Sequence, residues 1–355
     1  MDTEKMNRPL KVGVVGLGSM GRNHLRVYSE MTDVQVVAVA DVDAGALQRA
    51  AEAHSVATYQ DYRRMLERER LDAVSIVAPT GLHRQVALAA AQAGVHILVE
   101  KPIASSVEEG LAILEAAGEA GVKVMVGHIE RFNPAVTALS QRLGEGALGR
   151  VYQVQARRIG PFAQRVRDVG VVYDLATHDI DVMRFLLRSQ VRSVYAQVQA
   201  GIKTDREDAL LGLLQFEDDV VGFLDVNWLS PLKVRELLVL GERGLFRLDY
   251  IRQELAFYQS CPRAKRRVGR PPALSPDPTA SGAAPQSIPI EKKEPLQVEL
   301  GAFLAAVRAD TETPVSGADA IVALHIAERL VESARQGVAL DVLSPLASAS
   351  QGGQA

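Results

Sequence analysis

An apolar run from Leu10 to Val15 opens directly into Gly16-Leu17-Gly18-Ser19-Met20-Gly21, and no other stretch restricts the fold so tightly. A helical pattern follows from about Arg22 to Ser29, then a second apolar strand, Val34 to Ala40. That strand ends at Asp41, 20 residues past Gly21. Strand, glycine turn, helix, strand and acid, in that order, make up the dinucleotide-binding βαβ unit. Gly16 permits the tight turn, Gly18 lets backbone approach a pyrophosphate, and Gly21 lets the helix lie against the strand. Ser19 and Met20, within the turn, are cofactor-binding candidates too, and the unpaired N–H groups and positive dipole end of the helix that follows suit phosphate oxygens. Asp41 is placed to accept ribose hydroxyls, and its charge opposes a 2′-phosphate. The cofactor expected is therefore NAD and not NADP. Asp43 is a competing acid, but it has a plainer role as the N-cap before Ala44.

The alternation continues through residue 126. Helical patterns over 44–54 and 61–70 precede a strand, 72–78, that Pro79-Thr80-Gly81 closes. A helix over 83–94 leads to the strand 95–100, a helix over 107–120 ends at the C-cap Gly121, and a strand spans 122–126. Strands alternating with helices predict right-handed crossovers and a doubly wound parallel Rossmann sheet over residues 1–130. Strand 95–100 delivers Glu100-Lys101-Pro102 to the carboxyl edge of that sheet, where open α/β sheets bind ligands. Thr80, His83, Glu100, Lys101, Pro102 and His128 are expected near the cofactor; for His83, satisfying a helix start is an equal alternative.

From Val151 the pattern changes to closely spaced strands: 151–157, 191–199, 209–216, 220–228, 234–240, 245–250 and 255–258. Glu217-Asp218-Asp219 and Gly241-Glu242-Arg243-Gly244 read as hairpin turns. This predicts a second, α+β domain over 131–345, with a largely antiparallel open sheet and closing helices near 295–308 and 318–336. A sheet with few covering helices leaves one face bare, so a homodimer or homotetramer is expected. Residues 262–289 hold seven of the 16 prolines together with Arg263, Lys265, Arg266, Arg267 and Arg270. With no aromatic residue interleaved, a solvated flexible loop is expected there instead of a localisation or nucleic-acid signal. The tail, 346–355, is expected to be disordered.

Composition narrows the function class. In 355 residues, apolar content is 47% and charged content 23%, which is ordinary for a globular chain large enough for two cores. The net charge of −3 opposes nucleic-acid binding, which needs a basic surplus. Cys261 is the only cysteine, so no disulfide can form within the chain, and a reducing compartment fits. No apolar run reaches membrane-spanning length, and residues 1–9 lack the apolar core of a signal peptide. The expected location is the cytoplasm.

The catalytic candidates lie on a helix that begins near Tyr173. Asp174, His178 and Asp181 follow at i, i+4 and i+7, so a regular helix places them on one face. A His beside a carboxylate can act as general base for an alcohol proton. A solvated polar face explains the same spacing equally well. A metal site is a third reading, although the seven His show no paired zinc spacing, and no metal is expected.

Three motifs in order resemble the Gfo/Idh/MocA oxidoreductase family: Gly16-x-Gly18-x-x-Gly21, Glu100-Lys101-Pro102 and Gly170-x-x-x-Asp174-x-x-x-His178-Asp179-x-Asp181. The resemblance covers nearly the whole chain outside 260–290 and the tail. It implies a catalytic group of Lys101, Asp174 and His178, and a cis bond before Pro102. Val126 to Pro134 and Arg165 to Val172 are similar to a branch of the family that oxidises the 3-hydroxyl of a nucleotide sugar. Val171 and Val172 stand where many members carry glycine, which favours that branch. Arg131, Asn133, Arg157, Arg165 and Arg167, with His178, are the substrate-binding candidates; arginines suit a diphosphate. A keto product of that kind would feed a transaminase. Dehydrogenation of another sugar, an inositol or a nucleotide-linked uronic acid remains open. So do a non-catalytic NAD-binding regulator and a glycosidase working through transient oxidation.

Overall fold

A computed structural model describes residues 8–162, 169–260 and 284–346. Arg165, Arg167, Cys261, the basic cluster and the tail beyond 346 lie outside the described residues, as does most of the proline-rich segment.

Six strands form the first sheet: β1 (Leu10–Val15), β2 (Val34–Ala40), β3 (Ala57–Tyr59), β4 (Ala73–Ile76), β5 (His96–Glu100) and β6 (Val124–Gly127). All pairs are parallel, in the order β3-β2-β1-β4-β5-β6. Val12, Val14, Val74, Ile76, Ile97 and Leu98 are fully buried, as strands covered on both faces require. Helices α1 (Ser19–Glu30), α2 (Ala44–His54), α3 (Tyr62–Arg68), α4 (Thr80–Gln92) and α5 (Val107–Ala120) make the crossovers. Asp43 caps α2 through the N–H groups of Gly45 and Ala46, and Gly121 ends α5 at φ +66°. Strand order reverses between β1 and β4, and this switch point opens the ligand crevice. Two starts differ from expectation. Helix α1 begins on the glycine turn at Ser19, and α4 begins at Thr80, so His83 sits within its first turn.

The second sheet has nine strands: β7 (Val151–Pro161), β8 (Val191–Ala200), β9 (Glu207–Phe216), β10 (Val221–Asn227), β11 (Leu229–Gly241), β12 (Gly244–Asp249), β13 (Glu254–Gln259), β14 (Gln286–Ile288) and β15 (Leu340–Asp341). Their order is β14-β13-β12-β11-β7-β10-β9-β8-β15, antiparallel except for the β10–β7 pair. One face packs under α6 (Pro134–Gly144), α7 (Thr177–Leu187) and α9 (Gly317–Gln336). Among the described residues no helix covers the other face, which exposes Leu211, Leu213 and Leu240.

A division at residue 130 is too simple. Helix α8 (Pro295–Ala309) sends Leu300 and Phe303 into the core of the first sheet. Helix α9 then serves both cores, with Ile321 and Leu324 on the first and Ala323, Ile326, Ala327 and Leu330 on the second. Its 3.6-residue repeat gives it two apolar stripes, one for each domain. Among the described residues no helix is long and apolar enough to cross a membrane.

Candidate active site

The glycine turn is built as the nucleotide reading requires. Gly16 has φ +94°, in the region side chains rarely adopt. A Cβ on Gly21 would lie 1.9 Å from the Gly16 carbonyl oxygen, so only glycine lets α1 sit this close. At Gly18 a Cβ would meet no atom of the chain, and this is the side a pyrophosphate approaches. Ser19 and Met20 open α1, whose first turn holds no acidic residue. Asp41 Oδ2 accepts the Leu17 N–H at 2.5 Å and Oδ1 accepts the Asp43 N–H at 2.8 Å. Those bonds hold the carboxylate at the rim of a cavity of about 320 Å³ lined by Gly16, Asp41, Tyr62, Arg63, Pro79 and Leu82. Thr80 opens α4 close to that cavity. These residues fit NAD: a side-chain-free cradle for the phosphates and an acid for the ribose.

Across the crevice, β5 ends at Glu100, and the Lys101–Pro102 peptide is cis. The Lys101 ammonium donates to the Asp174 backbone oxygen at 2.6 Å and to Asp174 Oδ1 at 3.1 Å. Asp174 does not stand on a regular helix. Residues Val172–Ala176 form a π turn in which the Thr177 N–H reaches the Val172 oxygen, five residues back. This wider turn leads into α7 and presents both the carbonyl and the carboxylate of Asp174 to Lys101. His178 follows in the first turn of α7, with its buried Nδ1 bonded to nothing in the described chain. Burial, then Lys101, Arg158, His128 and Arg235, hold the His178 imidazole well below its ordinary pKa. A neutral imidazole beside an ammonium is the form a general base must take.

Asp181, one turn further along α7, is paired with other groups. Arg131 grips it at 2.7 and 2.5 Å and also reaches Asp319 at 3.2 Å, while His128 Nδ1 lies 3.8 Å from it. Asp181 is therefore committed to Arg131 and stands outside the Lys101–Asp174 ion pair. Among the described residues no group of three or more His, Cys, Asp or Glu could hold a metal ion.

Several residues expected at the ligand have partners within the chain. Arg131 is committed to its two carboxylates. Asn133 caps α6 and donates to the Tyr250 carbonyl at 3.0 Å, fully inside the protein. Arg157 points to the bare face of the second sheet and pairs with Asp225 at 3.2 Å, because neighbours on a strand face opposite sides. Its neighbour Arg158 points inward and is held by Asp179 at 2.7 and 3.0 Å and by Glu130 at 2.9 Å. Glu100 turns behind β5 to His24, at 3.2 Å, and is pulled below the usual carboxylate range despite burial by His24 and Lys101. The His83 nitrogens lie 2.9 Å from the Pro102 oxygen and 2.8 Å from the Ala78 oxygen, clasping the two loops at the crevice from below.

Two residues escaped the sequence reading. Arg235 on β11 faces inward beside Arg158, and its nearest signal was its step with the buried Leu237 and Val239. Glu299 on α8 is fully buried with both carboxylate oxygens unbonded, in electrostatic contact with Glu100 and Glu130. Nothing in the α8 sequence marks it out, since its neighbours are ordinary helix formers.

Residues 10–128 match the oxidoreductase family model for the Gfo/Idh/MocA NAD-binding Rossmann fold, and residues 136–247 match the family's C-terminal domain. The chain belongs to the Gfo/Idh/MocA family of oxidoreductases. Among its relatives, the UDP-N-acetylglucosamine 3-dehydrogenase of Acidithiobacillus ferrooxidans is 28% identical over 84% of this chain and 89% of its own length. The D-apiose dehydrogenase of Paraburkholderia graminis is 30% identical over 94% of this chain and 90% of its own. In structure, the A. ferrooxidans enzyme superposes with a TM-score of 0.79 at 26% identity, covering 92% of this chain and 98% of that one. A levoglucosan dehydrogenase in complex with NADH gives 0.81 at 26% identity, covering 95% and 100%. This Gfo/Idh/MocA protein is an NAD-dependent dehydrogenase of the sugar and polyol class.

Proposed function

We propose that this dehydrogenase oxidises the 3-hydroxyl of a nucleotide sugar, UDP-N-acetylglucosamine, to the 3-ketone. The observation that carries this reading is that one enzyme of that activity is matched in both sequence and structure over most of both chains. His178, kept unprotonated by burial and the surrounding cations, is free to take the hydroxyl proton. Lys101, held by Asp174, donates a hydrogen bond to the same oxygen and steadies the negative charge that develops there. Bound NAD supplies the acceptor for the hydride leaving the carbinol carbon. A ketone at C3 then suits a transaminase that installs an amino group.

The D-apiose relative favours a second reading, oxidation of a neutral sugar, because its match is longer. NAD-linked alcohol oxidation is uphill near neutral pH, so the assay includes a ketone trap. Wild type given NAD and trap is expected to turn over UDP-N-acetylglucosamine faster than D-apiose or an inositol. Lys101→Ala and His178→Ala should each abolish that turnover. Turnover of neutral sugars alone would reject the nucleotide-sugar reading.

We also propose that the bare face of the second sheet packs on a second copy of the chain. Across neighbouring strands it aligns Tyr195, Leu213 and Phe223, then Gln155 and Leu238, bordered by the Arg157–Asp225 and Arg247–Glu236 pairs. Alternating charge around an apolar band suits a self-complementary contact. Light scattering should give a dimer or tetramer for wild type and a smaller particle for Leu213→Glu; a monomeric wild type refutes the contact.

A further inference from the structure

Arg158 and Arg235 stand directly opposite each other on β7 and β11, both on the face turned toward α7. Like charges in that position repel, and the arrangement persists only where something offsets it. For Arg158 the offset is visible in Asp179 and Glu130, which neutralise it from two sides. Arg235 makes no ion pair among the described residues, and Asp179, Glu130 and Asp174 act on it only from a distance. Its guanidinium donates only to two backbone carbonyls, Ile159 at 2.7 Å and Val234 at 3.0 Å, and no carboxylate of the described residues lies within ion-pair distance. Those carbonyls occupy one amino group, Nη1, and leave the rest of the guanidinium fork uncommitted to the described chain.

The surroundings show where that charge acts. Arg235 is half-buried, and burial followed by the Arg158 cation lowers its pKa to about 10, so it remains charged at neutral pH. It bears on the His178 imidazole from the second sheet while Lys101 bears on it from the first. Gly160 lies alongside, where even a Cβ would come no closer to Arg235 than 3.8 Å. A half-buried guanidinium that no described carboxylate contacts directly, next to the proton acceptor, is better satisfied when an anion arrives with the ligand.

We propose that Arg235 is the anion receptor of the substrate site, binding a phosphate or carboxylate oxygen of a charged sugar beside the reacting carbon. This rests on the nucleotide-sugar reading. It adds that recognition of the charged group comes from β11 and does not need Arg131 or Arg157, which are spent elsewhere. The same cation also helps keep His178 neutral, so one side chain couples substrate charge to readiness of the base.

The test compares wild type with Arg235→Gln and Arg235→Lys on three substrates: UDP-N-acetylglucosamine, its 6-uronate and free N-acetylglucosamine. Loss of a charge-assisted hydrogen bond is expected to raise KM for the charged substrates by about 10- to 100-fold. The change for the free sugar should be at least tenfold smaller by the same reasoning, and Arg235→Lys should recover part of the loss. A loss on the uronate alone assigns the carboxylate; equal losses on both nucleotide sugars assign the diphosphate. Removing the cation should also move the acid limb of the kcat/KM profile upward in pH. If wild type oxidises UDP-N-acetylglucosamine yet Arg235→Gln changes KM equally for charged and free sugars, the receptor role is wrong and the nucleotide-sugar reading stands. If wild type oxidises neutral sugars alone, both fall.

Discussion

At His178, burial and the Lys101, Arg158 and Arg235 cations all act against protonation, so the imidazole stays neutral at a pH where a free histidine would be half charged. The acid limb of kcat/KM for alcohol oxidation is therefore expected below the ordinary histidine value of 6.5. Initial rates across pH measure it, and a limb at or above that value counts against His178 as the base. His178→Asn should lower kcat by roughly 10²- to 10⁴-fold, the usual worth of a positioned base. Glu299 has the opposite bias: buried, unbonded and beside Glu100, it keeps its proton well above the ordinary carboxyl pKa. Native protein then binds a proton that unfolded chain releases, so stability from this site is present at low pH and lost as pH rises. Glu299→Gln, which cannot ionise, should melt higher than wild type by a margin that grows between about pH 5 and pH 8. A margin independent of pH would show that Glu299 is ionised in the native state. Residue identities at the cofactor edge were legible because glycine and Asp41 act through backbone geometry encoded locally. Partner choice was not: the groups that Arg131, Asn133 and Glu100 bond lie far along the chain from them.

Among the elements, the β1–α1 unit was readable apart from its helix start, since Gly16 and Gly21 answer steric demands that no side chain meets. Gly21→Ala tests that demand. A Cβ 1.9 Å from a main-chain oxygen requires α1 to move off the sheet, at a cost of about 1–3 kcal/mol or more. Calorimetry should show a lower Tm, and fluorescence titration a weaker NAD affinity; unchanged NAD binding would mean the turn is not the phosphate cradle. The π turn at Val172–Ala176 was invisible beforehand. An apolar pattern reports the average repeat of a helix, and one inserted residue leaves that pattern almost intact. Strands β3, β14 and β15 span three, three and two residues, too short to show any alternation. The parallel β10–β7 pair depends on which strands meet, a matter of topology that the spacing of turns leaves undetermined.

For the whole molecule, two domains divided at residue 130 were expected from the change of pattern at Val151, and two sheets are present. What the sequence concealed is that α8 returns to the first core and α9 belongs to both. Amphipathic helices near the chain end declare a buried face without declaring whose core it enters. A fragment ending after residue 135 should accordingly keep helix and strand by far-ultraviolet circular dichroism yet melt without a sharp transition, because Leu300, Phe303, Ile321 and Leu324 are missing from its interior. A sharp transition would show that α8 is dispensable. On the ribosome the same arrangement imposes an order of events. The nucleotide-binding half emerges first, but the helix that closes its core follows every strand of the second sheet except β15. At translation rates of about 5–20 residues per second, that half waits roughly ten to thirty seconds with an open flank. During that interval the nascent chain is a natural client for chaperones that shield apolar surface.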